Sequence, residues 1–213
     1  MVIVRDVEIP PLGLAGTLSV PPDADGLVVF VHGSGSSRFS PRNTHVAKAL
    51  NQRRMATLLF DLLTPDEEAN RAIVFDIPLL AGRLLEVIRW LNTQPSIKAL
   101  PLGLFGASTG AAAALVAAAE RPDQIRAVVS RGGRPDLADT SLDRVRAPTL
   151  LIVGGADYGV IDLNRAALRR LREPKSLRIV PNATHLFPEP GALEAVIELA
   201  ADWFGNRFQA RDA

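Results

Sequence analysis

Cysteine is absent from the 213-residue chain. That one absence excludes disulfides, thiolate metal sites and a cysteine nucleophile. Histidine is scarce: the three residues, His32, His45 and His185, are too scattered to give the ligand spacing of a metal centre. Charge of one sign is lacking too, since 24 Lys and Arg against 23 Asp and Glu leave a formal net charge of +1. So balanced a chain has no surplus to draw it to nucleic acid or to an anionic membrane. No apolar run reaches the ~18 residues of a membrane span. The first residues, MVIVRDVEIPPLG, carry Arg5, Asp6 and Glu8 where a signal peptide would be uninterruptedly apolar. The cytosol is the expected location. Phosphate loops are missing as well. Gly33 and Gly35 open a G-x-G pattern, but Arg38 takes the place of the third glycine, and no G-K-[ST] occurs. No metal and no cofactor is implied.

What is present is a chain with 47% hydrophobic residues, long enough for one sizeable core and read as a single domain over 1–213. Short apolar runs bounded by Gly and Pro predict strands over 2–9, 14–20, 27–31, 56–60, 100–105, 125–130, 148–153 and 176–180. Helical spacing of apolar residues predicts helices over 41–53, 77–91, 111–119, 163–171 and 191–204. The stretch 64–71 reads as a polar, acidic loop, and the tail from Gly205 as frayed. Strands alternating with helices imply an α/β fold: a mostly parallel sheet of about eight strands with helices on both faces. The first two strands have no helix between them, so the sheet is expected to start antiparallel.

The most informative stretch is ALPLGLFGASTGAAAALVAAAE, from Ala99 to Glu120. A buried strand runs into Gly106-Ala107-Ser108-Thr109-Gly110, and a run of strong helix formers follows. Strand, G-x-S-x-G and helix in that order describe a sharp turn that holds the serine hydroxyl exposed on a strained backbone. The helix beginning there turns free N–H groups and a positive dipole end toward any developing anion.

In an open α/β sheet, chemistry gathers at the carboxyl ends of the strands. Four such ends carry candidate groups: His32-Gly33-Ser34, Ser108, Asp157 and His185. A serine hydroxyl is a weak nucleophile unless a base takes its proton. His185 is the candidate base and Asp157 the candidate acid that orients it. Asp136 and Asp61 also follow strands and compete with Asp157; the alternative for all three is a turn or helix-capping role.

The order serine, aspartate, histidine, with VHGSGSS, GASTG, GGADYGV and NATHLF around it, resembles the α/β-hydrolase fold family. Within it the chain is similar to the small lidless branch of dienelactone hydrolase-like proteins, over about 27–204. The resemblance implies a nucleophile at Ser108, a base at His185 and an acid at Asp157. It implies an oxyanion hole from the backbone N–H groups of Thr109 and of Ser34, with Gly35 second. His32 is implied to brace its loop, and His45 reads as a surface residue. Dienelactone hydrolases proper use cysteine, which this chain lacks, so a serine esterase acting on small esters is the expected activity. The connection 131–147 is too short for a lid, and an open site suits small soluble esters.

Arg38, Arg131 and Arg134 stand near the expected pocket mouth, where guanidinium groups could recognise a carboxylate or phosphate. Loop bracing by the same arginines is the plainer alternative. Tyr158, beside the presumed acid, is a further candidate pocket residue. The expected partner is a small-molecule ester, for a monomer or homodimer without nucleic acid or membrane. Acyl transfer, perhydrolysis or thioester cleavage on the same residues is one alternative; a non-catalytic hydrolase-fold interaction module is another.

Overall fold

A computed structural model of the chain describes residues 1–172 and 174–209. Eight strands form one sheet in the order β1-β2-β4-β3-β5-β6-β7-β8. They are β1 (Ile3–Ile9), β2 (Leu14–Val20), β3 (Gly26–Val31), β4 (Met55–Phe60), β5 (Leu102–Ala107), β6 (Ile125–Arg131), β7 (Thr149–Gly154) and β8 (Lys175–Val180). β1 and β2 pair antiparallel, as does β2 with β4, and every later pairing is parallel.

The central strands are buried along their whole length, which explains why LVVFV and MATLLF show no alternation. Successive residues serve opposite faces. Leu27, Val29 and Val31 of β3 join one apolar cluster, while Val28 and Phe30 join the other. The first face is covered by α4 (Ile77–Leu91) and α5 (Thr109–Glu120) and the second by α1 (Pro41–Gln52) and α7 (Ala192–Gln209). Ten of the twelve residues of α5 are buried. Alanine suits that position, because a helix enclosed between sheet, α4 and its neighbours has little room for longer side chains.

Three predicted boundaries are corrected. The loop 64–71 contains a short helix, α2 (Pro65–Glu68), and a second, α3 (Arg71–Val74), starts at its last residue. Thr64 and Glu67 close α2 reciprocally, each side chain bonding the other's backbone N–H. Helix α6 (Tyr158–Arg170) begins five residues before the predicted 163. The predicted frayed tail is instead the last turn of α7, where Phe208 is buried and stacks on Phe204 at 5.6 Å; Arg211 and Asp212 lie outside the described residues. Between β6 and β7 the chain makes 3-10 turns over Pro135–Arg144 and no lid. Among the described residues no helix is long and apolar enough to cross a membrane.

Candidate active site

Ser108 sits between β5 and α5 with φ 51° and ψ −123°. That is a strained conformation for a residue with a Cβ, and such strain, of about 1–3 kcal/mol, persists only where the surroundings impose it. Here they do. The Ser108 N–H reaches Arg131 O at 3.3 Å, and its carbonyl accepts from the N–H groups of Ala111 and Arg134. Gly110 lets α5 start hard against β3: a Cβ there would lie 2.1 Å from Val31 O.

The loop after β3 is held from two sides. His32 is buried, its Nδ1 lies 3.0 Å from Gly33 O, and its Nε2 lies 3.1 Å from the Leu62 N–H. A carbonyl can only accept and an N–H can only donate. The ring is therefore neutral with its proton on Nδ1. Burial lowers its pKa, against the raising influence of Gly33 O, Asp61 and Glu68. The bracing role expected of His32 is what its two bonds provide. On the other side, the Ser34 N–H donates to Thr109 Oγ1 at 3.0 Å. Ser34 and Thr109 thus meet, but the Ser34 donor expected for an oxyanion hole is occupied by a hydroxyl. Sequence reasoning missed this latch, since nothing local to either residue encodes it.

His185 follows β8, and its Nδ1 lies 2.7 Å from Asp157 Oδ2. A carboxylate only accepts, so Nδ1 is the nitrogen that donates here, and in the neutral ring Nε2 is the one left to accept. Asp157 occupies the N-cap position of α6 yet makes no capping bond. Its carboxylate turns to the histidine instead. The two loops close on each other through Gly155 N–H to Val180 O and Ala156 N–H to Ala183 O. Gly154 permits that approach, for a Cβ there would lie 2.3 Å from Ala183 O. The competing aspartates are engaged elsewhere. Asp136 takes a two-pronged bond from Arg134 at 2.9 and 2.8 Å, and Asp61 pairs with Arg38.

The arginine expectations divide accordingly. Arg38 is not a free cation facing substrate: its guanidinium and its backbone N–H both go to Asp61. Arg134 is likewise consumed by Asp136. Arg131 is buried rather than at a pocket mouth. Tyr158 is largely exposed at the start of α6, and His45 is a surface residue 3.8 Å from Glu194. Phe39 and Leu186, not singled out from sequence, are exposed apolar residues on the Ser34 and His185 loops. A cavity of about 480 Å³ opens beside residues 32–37, with Leu62, Val74 and Leu80 on its far side.

Residues 44–208 match the profile of the dienelactone hydrolase family. The chain belongs to the dienelactone hydrolase family. A dienelactone hydrolase from Anabaena variabilis has 54% sequence identity over 97% of this chain and 98% of its own, and superposes with a TM-score of 0.93. A Xanthomonas campestris protein described as an α/β serine hydrolase without a lid has the same fold. Its identity is 22%, coverage 99% of this chain and 97% of its own, and TM-score 0.77. Two strains of Mycobacterium tuberculosis have a protein that carries the provisional name phosphoribosyl transferase. It is 60% identical over 204 residues, which are 94% of this chain and 46% of that protein. The chain therefore spans about half the length of those curated relatives. Family and fold are those of hydrolases.

Proposed function

We propose that this dienelactone hydrolase family member is a serine hydrolase of small carboxylic esters. Ser108 attacks the acyl carbon, and His185 Nε2 takes its proton. Asp157 fixes the tautomer and stabilises the imidazolium. The carbonyl oxygen, as it gains charge, is met by the Thr109 N–H at the start of α5 and by a donor of the 33–37 loop. Collapse of the tetrahedral intermediate expels the alcohol, which takes the proton back from His185. Water then repeats the sequence on the acyl-enzyme.

The observation that carries this reading is the 2.7 Å contact of His185 Nδ1 with Asp157 Oδ2, formed by a carboxylate that forgoes its own helix cap. The strained backbone of Ser108 supports the same reading. The Ser34 N–H can serve as the second donor once it leaves Thr109 Oγ1, a small rotation that substrate binding would drive. Exposed Phe39 and Leu186 on the loops of Ser34 and His185, and exposed Tyr158 next to Asp157 at the start of α6, favour a short apolar acyl or alcohol group. The name of the longer Mycobacterium tuberculosis relatives is not carried over. This chain matches less than half of them, and its site is suited to acyl chemistry. The cytosol remains the proposed location, and a small ester the proposed partner.

Steady-state hydrolysis of 4-nitrophenyl esters from acetate to octanoate tests the reading. The shortest esters should be turned over best, and Ser108→Ala should lose activity across the series. Turnover that survives Ser108→Ala would overturn it.

A further inference from the structure

One charge has no part in that mechanism. Arg131 ends β6, opposite Ala107 of β5, and is 5% exposed. Its guanidinium reaches the first turn of α1, where Nη2 donates to Asn43 Oδ1 at 3.2 Å. Asn43 is itself buried and neutral. The Nε of Arg131 has no acceptor at all. On the other side the guanidinium carbon lies 5.9 Å from the centre of the Phe187 ring. Among the described residues no carboxylate pairs with it. Its charged neighbour is another cation, Arg42, whose own Nε is also buried without an acceptor. Burial and Arg42 push Arg131 down to about 10, so it stays charged at neutral pH.

The contrast with Arg38 and Arg134 is direct, since each of those has its own aspartate. A buried cation without a counter-ion is costly, and an apolar side chain of the same size would avoid the cost. Stability does not account for Arg131. The surroundings are positive in a second way. α1 is twelve residues long and its first turn, which holds Asn43, contains no acidic residue; Pro41 has no N–H and the Asn43 N–H goes to Ser40 Oγ, so the helix end adds its dipole more than free donors.

We infer that Arg131 and Arg42, beside the first turn of α1, form a seat for a phosphoryl group. Two guanidinium groups, each with a buried Nε that has no acceptor, match a dianion, whereas a carboxylate would leave one charge unmet. Arg42 and Ser40 line the 480 Å³ cavity that the 32–37 loop bounds, and Arg131 stands outside that lining, held against Asn43 of the same helix turn. Glu68, the carboxylate among the cavity's lining residues, is exposed to solvent. The phosphoryl group could be borne by the ester substrate or be free inorganic phosphate. The seat itself does not depend on the ester-hydrolysis reading, because its test is read by heat and not by turnover.

The experiment is calorimetric titration of inorganic phosphate at constant ionic strength into the parent, Arg131→Met and Arg42→Gln. One phosphate should bind the parent, and each substitution should weaken binding at least tenfold. Arg131→Met should stay folded, with a Tm in phosphate-free buffer equal to or above the parent's. If it does not fold, Arg42→Gln carries the test. Phosphate that competes with ester hydrolysis identifies a group on the substrate; phosphate that binds without competing identifies a separate ligand. Either supports the seat. No saturable binding to the parent, or binding unchanged by the substitutions, overturns it.

Discussion

Gly110→Ala should damage both the fold and the site, and the amount follows from the packing. A Cβ at this position would lie 2.1 Å from Val31 O, 2.4 Å from His32 O and 2.7 Å from Val31 C. All three atoms are backbone. They belong to β3 and to the start of the loop behind Ser34, and β3 is hydrogen-bonded to a strand on each side. The obstacle cannot swing away as a side chain would, so α5 must retreat by roughly 1 Å from a close-packed sheet. Overpacking of this kind typically costs about 1–3 kcal/mol, and a backbone obstacle puts the expectation at the upper end, about 3 kcal/mol. The retreat carries Ser108 and Thr109 with it, and a misplacement of about 1 Å can lower turnover ~10²-fold. Gly82→Ala is the matched control. Gly82 lies within α4 with nothing within 4 Å of its would-be Cβ. The exchange there should gain about 0.5–1 kcal/mol from helix propensity alone. Urea unfolding and kcat/KM on 4-nitrophenyl acetate, measured on both variants, decide the matter. A Gly110→Ala protein with parental stability and turnover would refute the close approach of α5 to β3 and the positioning argument built on it.

Asp157→Asn should leave the fold intact and lower kcat on the order of 10³–10⁴-fold, because the histidine loses the partner that fixes its tautomer. Asp136→Asn, which only frees Arg134, should leave kcat within a factor of a few; the reverse pattern in steady-state assays would reassign the acid. His32 gives a prediction about pH. Its folded pKa lies below the ordinary value of 6.5, so the unfolded chain binds the proton first. The stabilising contribution is therefore complete above pH 6.5 and is lost as pH falls below it toward the folded pKa. In urea titrations the parent should lose up to about 1.4 kcal/mol per pH unit relative to His32→Gln in that window. Parallel pH curves for the two proteins would show that the Leu62 N–H does not hold the ring neutral.

Much of this was legible in the residues. The apolar runs gave the strands because strands covered on both faces need no alternation. The helix at 77–91 was bounded correctly because Asp76 caps it and Pro78 follows, both of them local signals. Failures occurred where distant packing overrides local preference. Gly205 argues for a helix end, yet α7 continues because Phe208 has a buried place against Gly26 and Gly103. The first turn of α6 was missed because Asp157 stands at the cap position without capping and Gly159 follows. The short helix α2 could have been found, since Thr64-Pro65-Asp66-Glu67 is a capping box. At the site, candidates that stand in a motif can be named from the sequence, and contacts between distant residues cannot. Ser108, Asp157 and His185 stand at strand ends in a recognisable order. The fates of the arginines depend on Asp61, Asp136 and Asn43, which no spacing in the chain connects to them.

The most direct test of the central claim is the intact mass of the protein after incubation with a fluorophosphonate, for the parent and for Ser108→Ala. A fluorophosphonate phosphonylates, with loss of fluoride, a serine activated by a neighbouring base, so the account predicts one adduct on the parent, mapped to Ser108, and none on the folded variant. An unmodified parent, or an adduct that persists in Ser108→Ala, would contradict it.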